Sequence, residues 1–282
     1  MDEVPGPVAR LPDGTPRALG PDGVMISFVR ARASGPVTLT ATGFAGDRVG
    51  DTKHHGGAQK AAHAYPLAHY AAWRAVLPQM ADAFPDGAFG ENLTVAGLVE
   101  ADICIGDSFT LGDATVEVSQ ARQPCRRLNL WFKRRDMARL VQESGRTGWY
   151  FRVLEAGAVR DGDALALVAR PNPGWPLDRV WHLLYRGGVD VAALTEFAGL
   201  HGLSPSWRAL ARPPTTTDHD REVAMDPAHS LGGSIPAYAA ELFPAKSDVS
   251  ARSDAQLLRV DSKAIDSARK QVRFPAACAS AT

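Results

Sequence analysis

The chain has 282 residues, of which 45% are hydrophobic and 22% are charged, a composition typical of a folded globular protein rather than of a collagen or a disordered chain. Its 31 basic and 31 acidic side chains cancel, so no global field favours nucleic acid or an anionic membrane, and any anion site has to be local. The chain shows neither a long apolar run nor a signal-peptide pattern, which predicts a cytosolic protein.

Residues 24–168 have the pattern of a β-rich fold. Residues 1–23 contain proline and glycine too often for a regular element, and we expect them to be irregular. From Val24 onward, short runs rich in β-branched residues alternate with turn pairs such as Gly112-Asp113. This spacing is typical of a closed or nearly closed β-barrel, so the predicted fold class is mainly β with α. The predicted strands cover residues 24–29, 37–40, 109–111, 114–119, 150–154 and 164–168.

Two predicted helices interrupt these strands. One begins at Pro66, and the other follows Asp136 and ends before Gly145. Each places apolar residues on one face, and we interpret both helices as plugs or lids on the barrel. The apolar residues are Tyr70, Trp73 and Leu77 in the first helix and Met137, Leu140 and Val141 in the second.

The remainder of the chain divides into a helical unit and a tail. A proline- and glycine-rich stretch at 170–174 predicts the end of the barrel domain, which we place at residues 24–171. Three short helical patterns with capping residues follow and predict a three-helix unit over residues 172–212. The third helix offers too few basic side chains to read DNA bases, which disfavours a helix-turn-helix. Beyond Pro213 the periodicity fades, and we expect a disordered tail over residues 213–282.

A segment rich in histidine and glycine is the first candidate site. His54 and His55 are adjacent and would point to opposite sides of a strand, which disfavours metal ligation by both. The Gly56-Gly57 pair lets backbone amides approach an anion closely, and Lys60 adds positive charge. A solvated turn with a capping histidine is the alternative.

A cysteine in a basic segment is the second candidate. Cys125 lies between Arg122 and the pair Arg126-Arg127, and nearby cations lower the pKa of a thiol toward its reactive thiolate. A thiolate is also a soft metal ligand. The other two cysteines are too distant for a disulfide, zinc or iron–sulfur framework, so a functional cysteine would act alone. The alternative is a buried, inert cysteine beside surface arginines.

Two further polar positions have two interpretations each. Glu91 and Asn92 occupy a compact turn, where they could fix a ligand through hydrogen bonds or satisfy the amides of the loop itself. Arg152 alternates with apolar residues of a predicted strand. An arginine on the inner side of a barrel is costly unless it meets an anion or an acidic side chain.

Five motifs follow one another along the chain. They are GDxxxDxxHHGGxxKAxHxY (46–65), FGENL (89–93), IGD (105–107), VSQxRxPC (118–125) and GWYxRVL (148–154). Their sequence and order resemble those of the MOSC family, named for the C-terminal domain of molybdenum cofactor sulfurase. The three short helices that follow are similar to the 3-alpha domain of the YiiM-type branch of that family. The resemblance covers residues 24–212.

The resemblance implies a MOSC-type β-barrel with helical insertions that binds the molybdenum cofactor, a molybdopterin whose metal accepts one protein thiolate. It implies that Cys125 is the catalytic cysteine and the molybdenum ligand. Arg30 stands where the family often has a lysine on the first strand, and Ala121 stands where it often has proline. The implied contacts to the cofactor or substrate are Arg30, His55, Lys60, Asn92, Arg122, Arg126 and Arg152.

The resemblance also implies a function, the reduction of N-hydroxylated small molecules such as N-hydroxylated purines. Because the chain lacks iron–sulfur cysteines and a GxGxxG fingerprint, a separate flavin or iron–sulfur reductase would supply the electrons. We expect no nucleic-acid or membrane partner, and a homodimer stays open. Two alternative functions remain: a sulfur carrier or sulfurtransferase with a persulfide on Cys125, and a non-catalytic module that stores or delivers the cofactor.

Overall fold

The structure, a computed structural model, describes residues 8–12, 17–19, 24–28, 30–49, 55–186 and 190–211. Three predictions concern parts of the chain outside the described residues: the tail over residues 213–282, the role of His54 and the role of the Arg30 side chain. Among the described helices, none has the length and apolar character needed to cross a membrane.

The described residues form thirteen strands and six α-helices. The strands are β1 (Val8–Pro12), β2 (Arg17–Leu19), β3 (Val24–Ile26), β4 (Arg30–Arg32), β5 (Val37–Thr40), β6 (Gly43–Phe44), β7 (Ala62–Pro66), β8 (Leu93–Val95), β9 (Ser108–Leu111), β10 (Ala114–Ala121), β11 (Trp149–Glu155), β12 (Gly157–Val159) and β13 (Leu165–Ala169). The helices are α1 (Ala68–Val76), α2 (Arg127–Trp131), α3 (Met137–Ser144), α4 (Leu177–Tyr185), α5 (Val191–Gly199) and α6 (Pro205–Leu210).

Eight of the described strands form one mixed sheet, in the order β13-β9-β10-β11-β7-β8-β1-β4. Neighbouring strands are antiparallel except β7 and β8, which are parallel because the chain returns through α1 between them. The sheet curls into a half-barrel, and the described strands β12, β5 and β6 form a smaller sheet. The predicted fold class, mainly β with α, is confirmed.

The sequence patterns located most of the elements. Each of the six predicted strand segments overlaps an observed strand, the two helical insertions are α1 and α3, and the three later patterns are α4, α5 and α6. The expectation of an irregular segment over residues 1–23 is wrong in its described part, because β1 and β2 lie there. β1 pairs with both β4 and β8, and Pro12 occupies its last position, where a missing N–H weakens the ladder least.

An extra residue in β10 connects the sheet to the C-terminal helices. Val118 and Gln120 pair with consecutive residues of β11, so Ser119 between them forms a β-bulge. The Ser119 hydroxyl donates to the carbonyl of Gln59 at 2.6 Å. Its carbonyl accepts the backbone N–H of Ser204, which precedes α6, at 2.9 Å. The bulge therefore gives the helical unit a hydrogen-bonding position in the middle of the sheet.

One hydrophobic core is shared by the sheet and the three C-terminal helices. Val116 of β10, Phe197 of α5 and Trp207 of α6 belong to the same buried cluster. Trp175 stacks on Phe197 with ring centroids 5.5 Å apart. A second buried cluster lies under α1 and α3 and includes Trp73. The helices predicted as lids thus have a core of their own.

A buried carboxylate holds the connection between the sheet and α4. Asp107 is fully buried, and Arg170 donates to it from Nε (3.0 Å to Oδ1) and from Nη2 (2.7 Å to Oδ2). Asp107 also accepts the backbone N–H of Cys104 at 2.8 Å. Asn172 donates to the carbonyl of Ile105 at 2.7 Å. Charge-assisted hydrogen bonds of this kind fix the course of the chain into the helices.

We expect Arg170→Met to lower the free energy of unfolding by about 3 kcal/mol, because the buried Asp107 carboxylate loses its cation. Chemical denaturation measures the change. Arg139→Met is the matched control, since Arg139 is 54% exposed and pairs with Glu143 on the surface, and its loss should cost less than about 1 kcal/mol. Equal losses in the two variants would contradict the assigned role of Arg170.

Candidate functional site

A cavity of about 280 Å³ lies where loops from distant parts of the chain meet. Its walls come from the β5–β6 hairpin, the segment before and within β7, the turn before β8 and the loop after β10. Five of the predicted site residues line it: His55, Lys60, Asn92, Arg122 and Cys125. With Tyr150, which also lines the cavity, the fold brings together residues from four of the five sequence motifs.

The end of β10 positions the cysteine. The backbone N–H of Arg122 donates to the carbonyl of Gly148 at 3.0 Å, which extends the pairing of β10 and β11 by one residue. The N–H of Leu128 then donates to the carbonyl of Cys125 at 3.0 Å at the start of α2. Cys125 is 2% exposed. It is held between a strand and a helix, and hydrogen bonds fix the backbone on both sides.

The environment of Cys125 favours the thiolate. Its Sγ lies 3.7 Å from Nε2 of His55. Burial opposes ionisation of the thiol, but the charges of His55 and Arg122 outweigh this effect and lower the pKa of Cys125 to about 6. At neutral pH the cysteine is therefore mostly a thiolate, the form that binds soft metals and attacks electrophiles. The structure favours this interpretation over an inert cysteine.

Arg127 competes with Cys125 for the same histidine nitrogen. Its Nη1 lies 3.0 Å from His55 Nε2. A guanidinium can only donate, so Nε2 must accept in this contact, whereas a thiolate requires Nε2 to donate. One protonation state of His55 cannot make both hydrogen bonds. Nε2 of His55 can therefore form a hydrogen bond with Cys125 or with Arg127, but not with both at once.

Arg122 is a buried cation directed at the cavity. Its side chain is 6% exposed, and its Nη1 has no hydrogen-bond partner within the described part of the chain. The guanidinium lies over the ring of Phe28 at 5.9 Å. A buried guanidinium N–H that lacks a partner carries a desolvation cost that a bound anion would offset. Arg122 is thus the clearest indication of an anionic ligand.

Asn92 lines the cavity and also fixes the backbone around it. Its Oδ1 accepts the backbone N–H of His63 at 3.0 Å, and its own N–H donates to the carbonyl of His63 at 2.8 Å. Its Nδ2 donates to Oδ2 of Asp47 at 2.7 Å. Both Asn92 and Asp47 line the cavity. The amide thus connects the Asp47 carboxylate to the start of β7.

Glu91, which precedes Asn92 in the sequence, does not line the cavity. Its Oε1 accepts hydrogen bonds from the hydroxyls of Tyr70 (2.5 Å) and Thr94 (2.8 Å) and from the N–H of Gly87 (2.9 Å). The loop-satisfying alternative is therefore the observed one. The adjacent Gly90 lines the cavity with φ of 69°, and a Cβ there would lie 2.6 Å from Phe28. Only glycine fits this approach to the cavity wall.

Two predicted contact residues lie outside the cavity lining. Arg152 stands directly opposite Glu117 in the β10–β11 register and donates to it at 2.7 Å, and it also donates to the Gly202 carbonyl at 2.6 Å. It therefore holds the helical unit to the sheet, and its predicted contact to the cofactor stays a prediction. Arg126 precedes α2 in helical conformation, and the next residue along the turn, Arg127, lines the cavity instead.

Four titratable residues that line the cavity were not predicted as site residues: Asp47, His63, Arg127 and Tyr150. Asp47 is part of the first motif, and Arg127 lies two residues from Cys125. Their closeness in sequence to predicted site residues could have identified both. His63 and Tyr150 meet because β7 and β11 pair them directly, with ring centroids 5.1 Å apart. That pairing depends on strand register, which composition does not specify.

Two family models match the chain, the MOSC domain over residues 51–166 and the YiiM-like 3-alpha helix domain over residues 175–212. The uncharacterized protein YflK of Bacillus subtilis is 40% identical over 198 residues, which cover 70% of this chain and 88% of YflK. Protein YiiM of Escherichia coli is 33% identical over 210 residues, which cover 73% of this chain and 88% of YiiM. The chain therefore belongs to the MOSC family and carries the 3-alpha domain of its YiiM-like members.

Solved structures agree with this assignment. YiiM from Geobacillus stearothermophilus has a TM-score of 0.60 and 31% identity, with 72% of this chain and 95% of that chain covered. YiiM from Escherichia coli has the same TM-score and identity and is covered to 90%. A protein of Gibberella moniliformis named "Reductase" is 37% identical over 180 residues, which are 64% of this chain and 32% of the fungal protein.

We expect alkylation of Cys125 by iodoacetamide in the cofactor-free protein to rise with pH around a midpoint of about 6, because the thiolate is the nucleophile. His55→Ala should move this midpoint upward toward the usual thiol range, since it removes the main charge that stabilises the thiolate. Peptide mass spectrometry measures the rate at this cysteine alone.

Lys60→Met is the control for that measurement. Lys60 also lines the cavity, but it is not among the groups that lower the pKa of Cys125. The pH midpoint of Cys125 alkylation in Lys60→Met should stay closer to the wild-type value than the midpoint in His55→Ala. A midpoint near 8.5 in the wild-type protein, the usual value for a free thiol, would contradict the thiolate.

Proposed function

We propose that this protein binds the molybdenum cofactor in the cavity and reduces N-hydroxylated compounds, such as N-hydroxylated purines, with electrons from a separate reductase. The observation that carries the proposal is the combination of a thiolate at Cys125 with the buried Arg122 guanidinium on the same cavity wall. Membership of the MOSC family, whose domains are associated with this cofactor, supports it.

The donor set of the cavity fits such a cofactor. A thiolate is the soft ligand that a molybdenum ion accepts from a protein. Arg122, with no partner for Nη1 among the described residues, and Lys60 are cations suited to a pterin phosphate. Gly90 leaves the wall open to a close approach. Cys125 would therefore hold the metal, and Arg122 with Lys60 would hold the anionic end of the cofactor.

The chain's own residues supply position and protons. When bound, the cofactor supplies two-electron chemistry and an acceptor for the substrate oxygen. His55, with Nε2 3.7 Å from the sulfur, can hold a proton beside the reacting centre. Asp47, fixed by Asn92 at 2.7 Å, offers a carboxylate oxygen to an N–H group of the substrate. The nearby aromatic ring of Tyr150 provides a flat wall for a planar base.

A second function is supported by the same thiolate. A cysteine with a pKa near 6 can also carry a persulfide, so a sulfur carrier or sulfurtransferase fits the Cys125 environment. The two functions differ in the ligand expected at the Arg122 guanidinium. The reductase would bind the phosphate of its cofactor there, whereas sulfur transfer alone requires no phosphate-bearing cofactor. The relative named "Reductase" favours the redox function.

We expect the protein purified from a cofactor-competent host to contain molybdenum and pterin, and Cys125→Ala to lose the molybdenum. Arg122→Met should bind pterin at least tenfold more weakly, because a charge-assisted contact to phosphate contributes about 1.5 to 3 kcal/mol. Elemental analysis and pterin fluorescence measure both contents. Reduction of an N-hydroxylated purine with reduced methyl viologen as electron donor then tests turnover directly.

Arg152→Met is the matched control, because it removes a half-buried arginine that is paired with Glu117 and does not line the cavity. Its folded fraction should keep both molybdenum and pterin. Equal pterin loss in Arg122→Met and Arg152→Met would argue against a specific anion site at Arg122. Absence of metal and pterin from the wild type, together with a labile sulfur on Cys125 in the intact mass, would transfer the assignment to sulfur carriage.

A further inference from the structure

The segment that follows the reactive cysteine is strongly basic. Residues 126–143 contain six arginine or lysine side chains and two carboxylates, in a chain whose total charge is zero. The segment comprises α2, a tight turn and α3. Positive charge is therefore concentrated on one short stretch that begins at the residue after Cys125. A local field of this kind steers an oppositely charged partner.

The turn between α2 and α3 presents this charge to solvent. Lys133 and Arg135 are exposed, and neither has a carboxylate partner among the described residues. Arg134 pairs with Asp136 at 2.7 Å. Arg139 is 54% exposed and pairs with Glu143 at 3.0 Å. We call Lys133, Arg134, Arg135 and Arg139 the basic turn surface.

The basic turn surface is held in one conformation. Asn129 is 7% exposed, and its Nδ2 donates to the carbonyl of Arg135 at 2.6 Å while its Oδ1 accepts the N–H of Ala138 at 2.7 Å. Its own carbonyl accepts the N–H of Arg134 at 3.0 Å. Lys133 has φ of 50°, the left-handed conformation that turns the chain at the end of α2. A surface ordered before binding loses little entropy when a partner docks.

A short aromatic contact connects this surface with the cavity. Trp131, the last residue of α2, packs edge-on against Phe28 with ring centroids 5.7 Å apart. Its Nε1 donates to the carbonyl of Ala88 at 2.9 Å. Phe28 lines the cavity beside Arg122. The five residues of α2 span about 8 Å, so a partner on the basic turn surface would lie close to Cys125.

We propose that the basic turn surface docks an acidic electron-carrier protein of the ferredoxin or flavodoxin type, which delivers electrons to the cavity beside Cys125. The inference rests on the proposed reductase function. Reduction of R–NHOH takes two electrons and two protons, breaks the N–O bond and releases R–NH2 and water. A one-electron carrier therefore docks twice for each turnover.

The size of the surface favours a redox partner over other acidic macromolecules. Transient electron-transfer complexes use small interfaces that form and dissociate quickly. A nucleic acid or an anionic membrane would use a longer run of cations, whereas Asp136 and Glu143 lie among the cations of the basic turn surface. Carboxylates beside the cations give specificity for a partner with a complementary pattern rather than for a uniform polyanion.

The first test is binding of an acidic plant-type [2Fe–2S] ferredoxin and of a flavodoxin to the full chain by surface plasmon resonance. We expect at least one of the two to bind at low ionic strength and to dissociate as salt is added. Lys133→Glu and Arg135→Glu should each weaken binding roughly tenfold. Basic cytochrome c should not bind.

Arg160→Glu is the matched control, an exposed basic residue that follows β12. Val159 beside it pairs with Val37 at the start of β5, whereas Thr40 at the other end of β5 lines the cavity. This variant should bind the carrier like the wild type. Equal loss in all three variants, or no binding of either carrier to the wild type, would overturn the proposal.

A second measurement separates the docking surface from the proposed function. Reduced methyl viologen needs no docking surface, so viologen-driven reduction should be unchanged in Lys133→Glu and Arg135→Glu while carrier-driven reduction falls. Carrier binding without viologen-driven turnover in the wild type would reject the proposed function and leave the docking surface. If the wild type instead bound a single-stranded RNA or phosphatidylserine vesicles, and both variants lost that binding, the surface would be assigned to that ligand and not to a redox partner.

Discussion

The pairing of β10 between β9 and β11 is the constraint on which the rest of the molecule depends. This strand contributes Val116 to the common core, pairs Glu117 with Arg152, and leads directly to Arg122 and Cys125. Because it is hydrogen-bonded on both sides, it cannot shift without breaking two ladders. The reactive loop therefore takes its position from the sheet, although it has no regular structure itself.

The electrostatics of the site result from burial as much as from charge. A thiol in an apolar interior would stay protonated, and a guanidinium there would be costly. Here Cys125 and Arg122 share one wall, so the cation stabilises the thiolate while its Nη1 keeps a donor for a further anion. His55 lies between this pair and Arg127. A chain of zero net charge can thus place several cations beside a thiolate in one cavity.

Local signals in the sequence were sufficient where the structure depends on near neighbours. Asp190 accepts the N–H of Ala193, and Ser204 accepts that of Trp207, so α5 and α6 begin where their capping residues predict. The cysteine and its arginines were also found locally, because the cations that act on Cys125 include a close neighbour in sequence. The resemblance to the MOSC family supplied the distant His55.

The failures arose where strand register decides. The position of Arg152 opposite Glu117 is set by the β10–β11 pairing, which local patterns do not contain. β1 was missed because its partners, β4 and β8, lie far away in sequence and compensate for its poor local propensity. Tyr150 and His63 reach the cavity only through the β7–β11 register. Both residues belong to the sequence motifs, but a motif does not specify which residues two strands pair.

The bulge at Ser119 determines whether even- or odd-numbered residues of β10 face the core. Before it, even-numbered residues such as Val116 and Val118 belong to the core, and beyond it the odd-numbered Ala121 does. An extra residue exchanges the two faces of a strand, so the bulge determines which side chains after it turn toward the cavity. The N–H of Ser204 holds the bulged carbonyl. The helical unit, although remote from Cys125 in sequence, thereby helps to decide which residues the cavity contains.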